Sequence, residues 1–475
     1  MFGPIYRLYL LVVVLFGVLL FATSWWTVFG AQKLRDNPFN RRALLEQARV
    51  KRGAIKAADG TVLARSVKRP DGTFTRRYPQ RDLLSHVIGY SYLRYGQVGL
   101  ERSRNDALTG KRDELTSIFD QLSGSHGKAG DDVVTTLDPA AQRTAIDALG
   151  GQKGSVVALD PQTGAVKVMA SLPQFDPNQI PQTLGRLNQD PDAPLLNRAT
   201  QGRYAPGSTF KVVTAAAALD SGRFTPDSVV DGSSPKTISG VPLTNSGGSS
   251  FGPITLTTAL TNSVNTVWAQ VGESLGKQTM ATYMERFGFY ARPPLDYPAG
   301  QRFASGEFDG NGNLLPPTSP RIDVGRMAIG QDKLQVTPLQ MAMVASAVAN
   351  DGTLARPHFT DRIVDPDGRV REQIGRSVFS RVMKKETAAT LRDMMSNVVR
   401  EGTGTAAALS GIQVAGKTGT AERGDGTNQV WFIGLAPVNN PKIAIAVTVE
   451  RSTGQGGTVA APIAKQVLQK LLGGQ

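Results

Sequence analysis

The chain has no cysteine, which excludes disulfides, zinc–thiolate sites and a thiol nucleophile. It has three histidines, His86, His126 and His358, in 475 residues. Histidine is the usual group that takes a proton from a serine hydroxyl, so serine chemistry on this chain needs another base. There is no internal repeat, no extended low-complexity segment and no signature of a nucleic-acid-binding module. The 53 basic residues exceed the 39 acidic ones by 14 but are spread along the chain, so nucleic acid is not expected as a partner. One long stretch lacks charge altogether: nothing between Arg7 and Lys33 is ionisable at neutral pH.

Within that stretch residues 8–21 are almost wholly aliphatic or aromatic, and the uncharged run is long enough to cross a bilayer. Trp25 and Trp26 fit an interfacial belt at its outer end. A cleaved signal peptide with Ala22-Thr23-Ser24 as its cleavage site is the alternative. An uncleaved anchor over residues 8–29 is favoured because apolar character continues to Phe29, leaving residues 1–7 as a cytoplasmic tail. Arg7 precedes the span while Lys33, Arg35, Arg41 and Arg42 follow it, so the positive-inside rule alone would keep the rest of the chain inside. Large domains translocate largely regardless of that rule.

The length suggests about two to four domains. Residues 30–150 read as short strands and turns, with hairpin signals at Asp59-Gly60 and Asp71-Gly72 and no catalytic constellation. They are expected to form a mostly β pedestal. Residues 151–475 read as α+β. GSVVALDPQTGAVKVMAS forms the first hairpin of a new sheet, and residues 173–197 are irregular. Helices are expected from Ser208 to Asp220 and over 255–275, 338–350, 386–400 and 462–472. Strands over 412–417, 430–435 and 443–449, joined by short loops, suggest an antiparallel meander.

The stretch YAPGSTFKVVTAAAALD organises the second part. Pro206-Gly207 breaks what precedes it, and Phe210, Val213 and Ala217 give a helical apolar face starting at or near Ser208. A helix start favours developing negative charge, and Lys211 lies one turn on, over the same face. Lysine is then the base, provided burial or a second cation keeps it neutral. Ser-x-x-Lys by itself is weak. Ser125 with Lys128, Ser233 with Lys236 and Ser274 with Lys277 have the same form, but Gly or Pro precedes each of those lysines and none opens a good helix.

Two further features follow in order. Ser263-Val264-Asn265 is bland alone, since Ser103-Arg104-Asn105 matches it and such residues commonly cap helices. Lys417-Thr418-Gly419-Thr420 closes the apolar run 412–415, where a lysine is as readily a solvated strand-edge charge. The segment from Gly411 to Thr418 also fits the Walker A pattern G-x-x-x-x-G-K-[ST]. A P-loop needs a strand before its first glycine and a helix after its threonine, whereas here apolar residues fill the loop and glycines follow it.

S-x-x-K, S-x-N and K-T-G in this order are the set by which penicillin-interacting serine enzymes are known. The chain resembles the class B penicillin-binding proteins, the membrane-anchored peptidoglycan D,D-transpeptidases, and within them the actinobacterial PbpA-like branch. The likeness extends over nearly the whole length, through NPFNRR, RGAIKAADGTVLA, GQVGLERSRNDALTGK, NRATQGRYAPGSTFK, AIGQDKLQVTPLQMA, REGTGTAA and WFIGLAP. It implies a transpeptidase domain with an antiparallel sheet flanked by helices, carried on a dimerisation-type pedestal outside the cell membrane.

By the same resemblance Ser208 is the nucleophile toward the carbonyl between two terminal D-alanines, Lys211 the base and Lys417 the second cation. Ser263 relays a proton to the leaving D-alanine, and Asn265 holds Lys211 and the substrate amide. Thr418, Gly419 and Thr420 receive substrate, the two threonines with Lys417 at its carboxylate, and the N–H groups of Ser208 and Thr420 form the oxyanion hole. The implied partners are stem peptides as donor and amine acceptor, β-lactam antibiotics, the membrane, a glycan polymerase and division proteins, with no cofactor and no metal. The role is cell wall synthesis, in division and cell shape. There is too little chain before Ser208 for a glycosyltransferase domain as well as a pedestal, and no E-x-x-L-N between Asn265 and Lys417, as certain β-lactamases carry. A D,D-carboxypeptidase, and a non-catalytic penicillin sensor or division scaffold, remain the alternatives.

Overall fold

A computed structural model describes residues 3–25, 48–110 and 129–473. Trp26, the NPFNRR passage and the pair Ser125 and Lys128 lie outside the described residues. In chain order the helices used below are α1 (Gly3–Trp25), α2 (Pro139–Leu149), α3 (Lys211–Asp220), α4 (Leu256–Thr261), α5 (Asn265–Arg286), α6 (Pro338–Ala349), α7 (Lys385–Arg400) and α8 (Ala460–Leu472). The strands are β1 (Ile55–Lys56), β2 (Val62–Lys68), β3 (Phe74–Arg77), β4 (Asp132–Thr135), β5 (Gly154–Leu159), β6 (Val166–Leu172), β7 (Lys236–Ile238), β8 (Val241–Leu243), β9 (Thr360–Val364), β10 (Val370–Gln373), β11 (Ala415–Glu422), β12 (Asn428–Ala436) and β13 (Ile443–Ser452).

The helix α1 has 23 residues and none is buried. At 1.5 Å per residue it is about 35 Å long, enough for the hydrocarbon core of a bilayer.

One mixed sheet has the order β10-β9-β4-β1-β2-β3. Its β1 pairs parallel to β4, Ile55 opposite Val133, and β9 pairs antiparallel to β4. Strands from residues 360–373 thus extend a sheet otherwise built before residue 136. Beside it the carboxylate of Glu101 is buried; burial opposes its charge, but Arg76 and Arg52 outweigh that and hold it below the ordinary carboxylate range.

The second sheet is antiparallel, in the order β11-β12-β13-β5-β6. Its middle strands are apolar at nearly every position because both faces are covered. Alternate residues go to opposite cores. Val157, Leu159, Ile433 and Ala446 face the side that holds α3, α5 and α6. Val156, Ala158, Phe432 and Ile445 face α2 and α8. All twelve residues of α6 are buried, which explains a helix with no polar stripe. By contrast α8 buries Ala460, Ile463, Ala464, Val467, Leu468 and Leu471, one helical face, and leaves Lys465 and Lys470 outside.

The expected meander is present. Residues 173–197, expected to be irregular, hold a helix over Ile180–Gln189, and three further details differ. The helix expected over 255–275 is two helices, α4 and α5, broken at Ser263, whose φ is +60°. The strand expected over 412–417 begins at Ala415 and runs through the K-T-G residues to Glu422. The segment from Gly207 to Phe210 is a 3-10 turn, and the α-helix proper starts at Lys211.

Candidate active site

In a 3-10 turn the side chains at i and i+3 eclipse, so the tighter turn sets Lys211 directly over Ser208. Their Nζ and Oγ lie 3.0 Å apart. Ser208 is half-buried and reachable, whereas Lys211 is fully buried. The turn is held by close backbone approach on two sides. Gly207 N–H donates to Gly330 O at 3.0 Å, and a Cβ on Gly330 would lie 2.0 Å from Gly207 O. On the other side a Cβ on Gly419 would lie 2.7 Å from Pro206 O. The glycine of K-T-G is therefore where β11 passes the nucleophile's turn. Asp220, at the far end of α3, accepts from Tyr283 Oη on α5 and from Lys384 N and Thr387 Oγ1 at the start of α7, each at 2.8 Å.

The break between α4 and α5 places the second motif. Ser263 N–H donates to Leu260 O and Val264 N–H to Ala259 O, the two bonds of a Schellman ending, with Ser263 at the left-handed position that glycine normally takes. This conformation accompanies a carbonyl turned to the lysine: Lys211 Nζ donates to Ser263 O at 2.7 Å and lies 3.3 Å from Ser263 Oγ. Asn265 Oδ1 accepts from Lys211 Nζ at 2.7 Å. The amide's orientation is set from its other end, where Nδ2 donates to Thr244 O at 3.1 Å. Replacing Ser263 by Gly is expected to raise stability by about 1 kcal/mol by relieving the left-handed serine. The same change slows acylation by about 10²-fold through loss of the hydroxyl. Thermal unfolding beside β-lactam labelling rates checks both signs.

Burial first, and the charge of Lys417 second, push Lys211 well below the ordinary lysine pKa. Its neutral amine has two hydrogens and one lone pair. Ser263 O and Asn265 Oδ1 can act only as acceptors, so they take both hydrogens. The lone pair is left for the Ser208 hydroxyl.

Lys417, on β11, is also fully buried, and burial lowers it to about 7. A solvated edge charge is therefore excluded. Its Nζ donates to Thr418 O at 3.2 Å. Thr418 Oγ1 is 2.6 Å from Thr403 Oγ1, and Thr420 Oγ1 accepts from Gly456 N at 3.1 Å. β11 is an edge of its sheet, paired through Lys417 opposite Ile433 and Thr420 opposite Val430.

The fold thus gathers Ser208, Lys211, Ser263 and Asn265 in one hydrogen-bonded set, with Lys417 acting on it by charge and Gly419 by close packing. The competing motifs go elsewhere. Ser233 and Lys236 both bond Asp231, and Lys277 donates to Ser319 O. Ser103 and Arg104 bond Asp296. No helix follows Thr418, so the Walker A match has no phosphate cradle. Among the described residues no His, Asp or Glu cluster gathers that could hold a metal ion. Thr244, Thr403, Gly330 and Gly456 were not identifiable as site residues from sequence, because each acts through its backbone or through a partner distant in sequence.

Residues 154–469 match the family described as penicillin binding protein transpeptidase domain, and residues 52–133 the penicillin binding protein A dimerisation domain. The peptidoglycan D,D-transpeptidase PbpA of Mycolicibacterium smegmatis is 35% identical, over 98% of this chain and 98% of that protein. The crystal structure of the D,D-transpeptidase domain of a peptidoglycan glycosyltransferase from Eggerthella lenta is 36% identical, with a TM-score of 0.80 covering 90% of this chain and 99% of that one. Penicillin-binding protein A from M. tuberculosis, as its imipenem acyl-enzyme complex, is 31% identical with a TM-score of 0.80, covering 90% of this chain and 100% of that one.

Proposed function

The chain belongs to the penicillin-binding protein transpeptidases, and on that premise we propose a peptidoglycan D,D-transpeptidase that cross-links stem peptides through an acyl-enzyme on Ser208. The observation that carries this reading is the placing of Lys211 Nζ 3.0 Å from Ser208 Oγ and 2.7 Å from each of two acceptors, Ser263 O and Asn265 Oδ1. Ser208 Oγ attacks the carbonyl between the two terminal D-alanines as its proton passes to Lys211. The N–H groups of Ser208 and Thr420 hold the oxyanion, a device worth about 3–4 kcal/mol per donor. The new Lys211 ammonium has a third hydrogen for Ser263 Oγ, which hands a proton to the departing D-alanine nitrogen. Lys417, Thr418 and Thr420 take the substrate's carboxylate. An acceptor amine then attacks the ester, forms the cross-link and frees Ser208.

β-Lactams acylate the same serine in this reading, as the relative's imipenem complex supports. The anchor reading for α1 rests on its length and apolarity. We place the pedestal at residues 30–150 and the transpeptidase domain at 151–475, outside a single-pass span. A glycan polymerase and division proteins are the proposed partners.

The test supplies the full chain with a D-Ala-D-Ala stem-peptide donor and an acceptor amine. Cross-linked product with released D-alanine is expected. Hydrolysed donor alone would assign a D,D-carboxypeptidase, and no turnover with no acyl adduct would assign a scaffold.

A further inference from the structure

The helix α5 carries Asn265 in its first turn, yet its own N-cap residue, Val264, has no side chain able to cap it. The cap comes from a loop about twenty residues upstream. Asn245 Oδ1 accepts from Thr266 N at 2.9 Å. Its Nδ2 uses both hydrogens on carbonyls of the same loop region, Gly232 O at 3.0 Å and Ser249 O at 2.9 Å, and its N–H donates to Ser234 Oγ at 3.0 Å. The residue is 4% exposed. Every partner is donor-only or acceptor-only except the serine, so the side chain fits in one orientation. The neighbouring carbonyl, Thr244 O, is the acceptor for Asn265 Nδ2.

We propose that Asn245 is a positioning residue for the acylation reaction: it fastens the loop after β8 to the start of α5 and so delivers the Thr244 carbonyl that makes Asn265 present oxygen to Lys211. This rests on the acyl-enzyme reading above. Asn265 is symmetric enough in shape to rotate its amide, and the Thr244 carbonyl is what forbids it. With the amide rotated, N–H2 faces Lys211 Nζ and competes with the Ser208 hydroxyl for the lone pair. The ammonium form of Lys211 also loses an acceptor. The charged group that acts on Lys211 is Lys417, which Asn245 does not touch.

The experiment compares Asn245→Ala and Asn245→Asp with wild type, measuring the second-order rate of Ser208 acylation by a fluorescent penicillin across pH, with thermal unfolding alongside. Asn245→Ala is expected to slow acylation by about 10- to 100-fold, the scale of a small misplacement. Its acid limb is expected to move down by about one pH unit, because a hydrogen bond favouring the charged amine is lost. Asn245→Asp keeps an acceptor for Thr266 N but sets oxygen against two carbonyls, and should fall between the two. If the alanine variant does not fold, the aspartate variant is judged by the same criteria. A lower rate with an unmoved limb marks a purely structural role and overturns the proposal, as do variants with wild-type rate and limb. A wild type that takes no label overturns the acyl-enzyme reading itself; a labelled wild type beside unchanged variants overturns this inference alone.

Discussion

Ser208→Ala abolishes covalent penicillin labelling and leaves the protein folded. The hydroxyl is half-buried and its contact is with Lys211, so its loss costs about 0.5–1.5 kcal/mol, a shift of a few degrees at most in a chain of this size. Lys211 keeps its two acceptors and leaves no orphan. The other described Ser-x-x-Lys pairs offer no substitute: their lysines are bound to Asp231 or to Ser319 O and are not poised over a hydroxyl. Gel fluorescence beside a thermal scan checks this. Persistent label on folded Ser208→Ala would remove the nucleophile assignment.

Lys211→Met lowers the acylation rate by about 10³- to 10⁴-fold, the upper range for a positioned general base. Methionine has nearly the volume of the buried lysine, so packing persists. What it lacks is the lone pair, and it leaves Ser263 O and Asn265 Oδ1 without their donor, at a cost of about 1–3 kcal/mol each. Lys211→Arg is no rescue. A guanidinium stays charged, cannot accept the Ser208 proton, and would sit buried within reach of the Lys417 charge. Stopped-flow labelling of both variants measures the loss. An arginine variant within tenfold of wild type would show that a positive charge, not a base, is what the site needs.

Much of the fold could be read from sequence because local periodicity and burial agree: the alanine-rich face of α3, the stripe of α8 and the apolar strands β12 and β13. The misreadings have common physical causes. Four residues cannot distinguish i+3 from i+4 spacing, so the 3-10 turn at Ser208 was invisible. A helix break at glycine announces itself, but Ser263 adopts the left-handed conformation without the residue that usually signals it. The strand β11 continues past its apolar run because backbone pairing to β12 needs no hydrophobic side chains. Nothing local says that β5 pairs with β13, Leu159 opposite Ala444, or that Asn245 caps a helix beginning at Asn265. The site's residue types were legible as a motif set. What holds them, and the burial that lowers the Lys211 pKa, required the fold.

The pH dependence of kcat/KM for acylation bears most directly on that lysine. Burial and the charge of Lys417 both lower Lys211, so a charged Lys417 favours the neutral amine, and burial lowers Lys417 to about 7. The rate therefore climbs through the acid limb as Lys211 is freed and declines above about pH 7 as Lys417 loses the charge that binds carboxylate. A bound carboxylate favours charged Lys417, so the falling limb of kcat lies at higher pH than that of kcat/KM. A rate that keeps rising and levels off only near pH ~10.4, where an ordinary lysine titrates, would contradict the account.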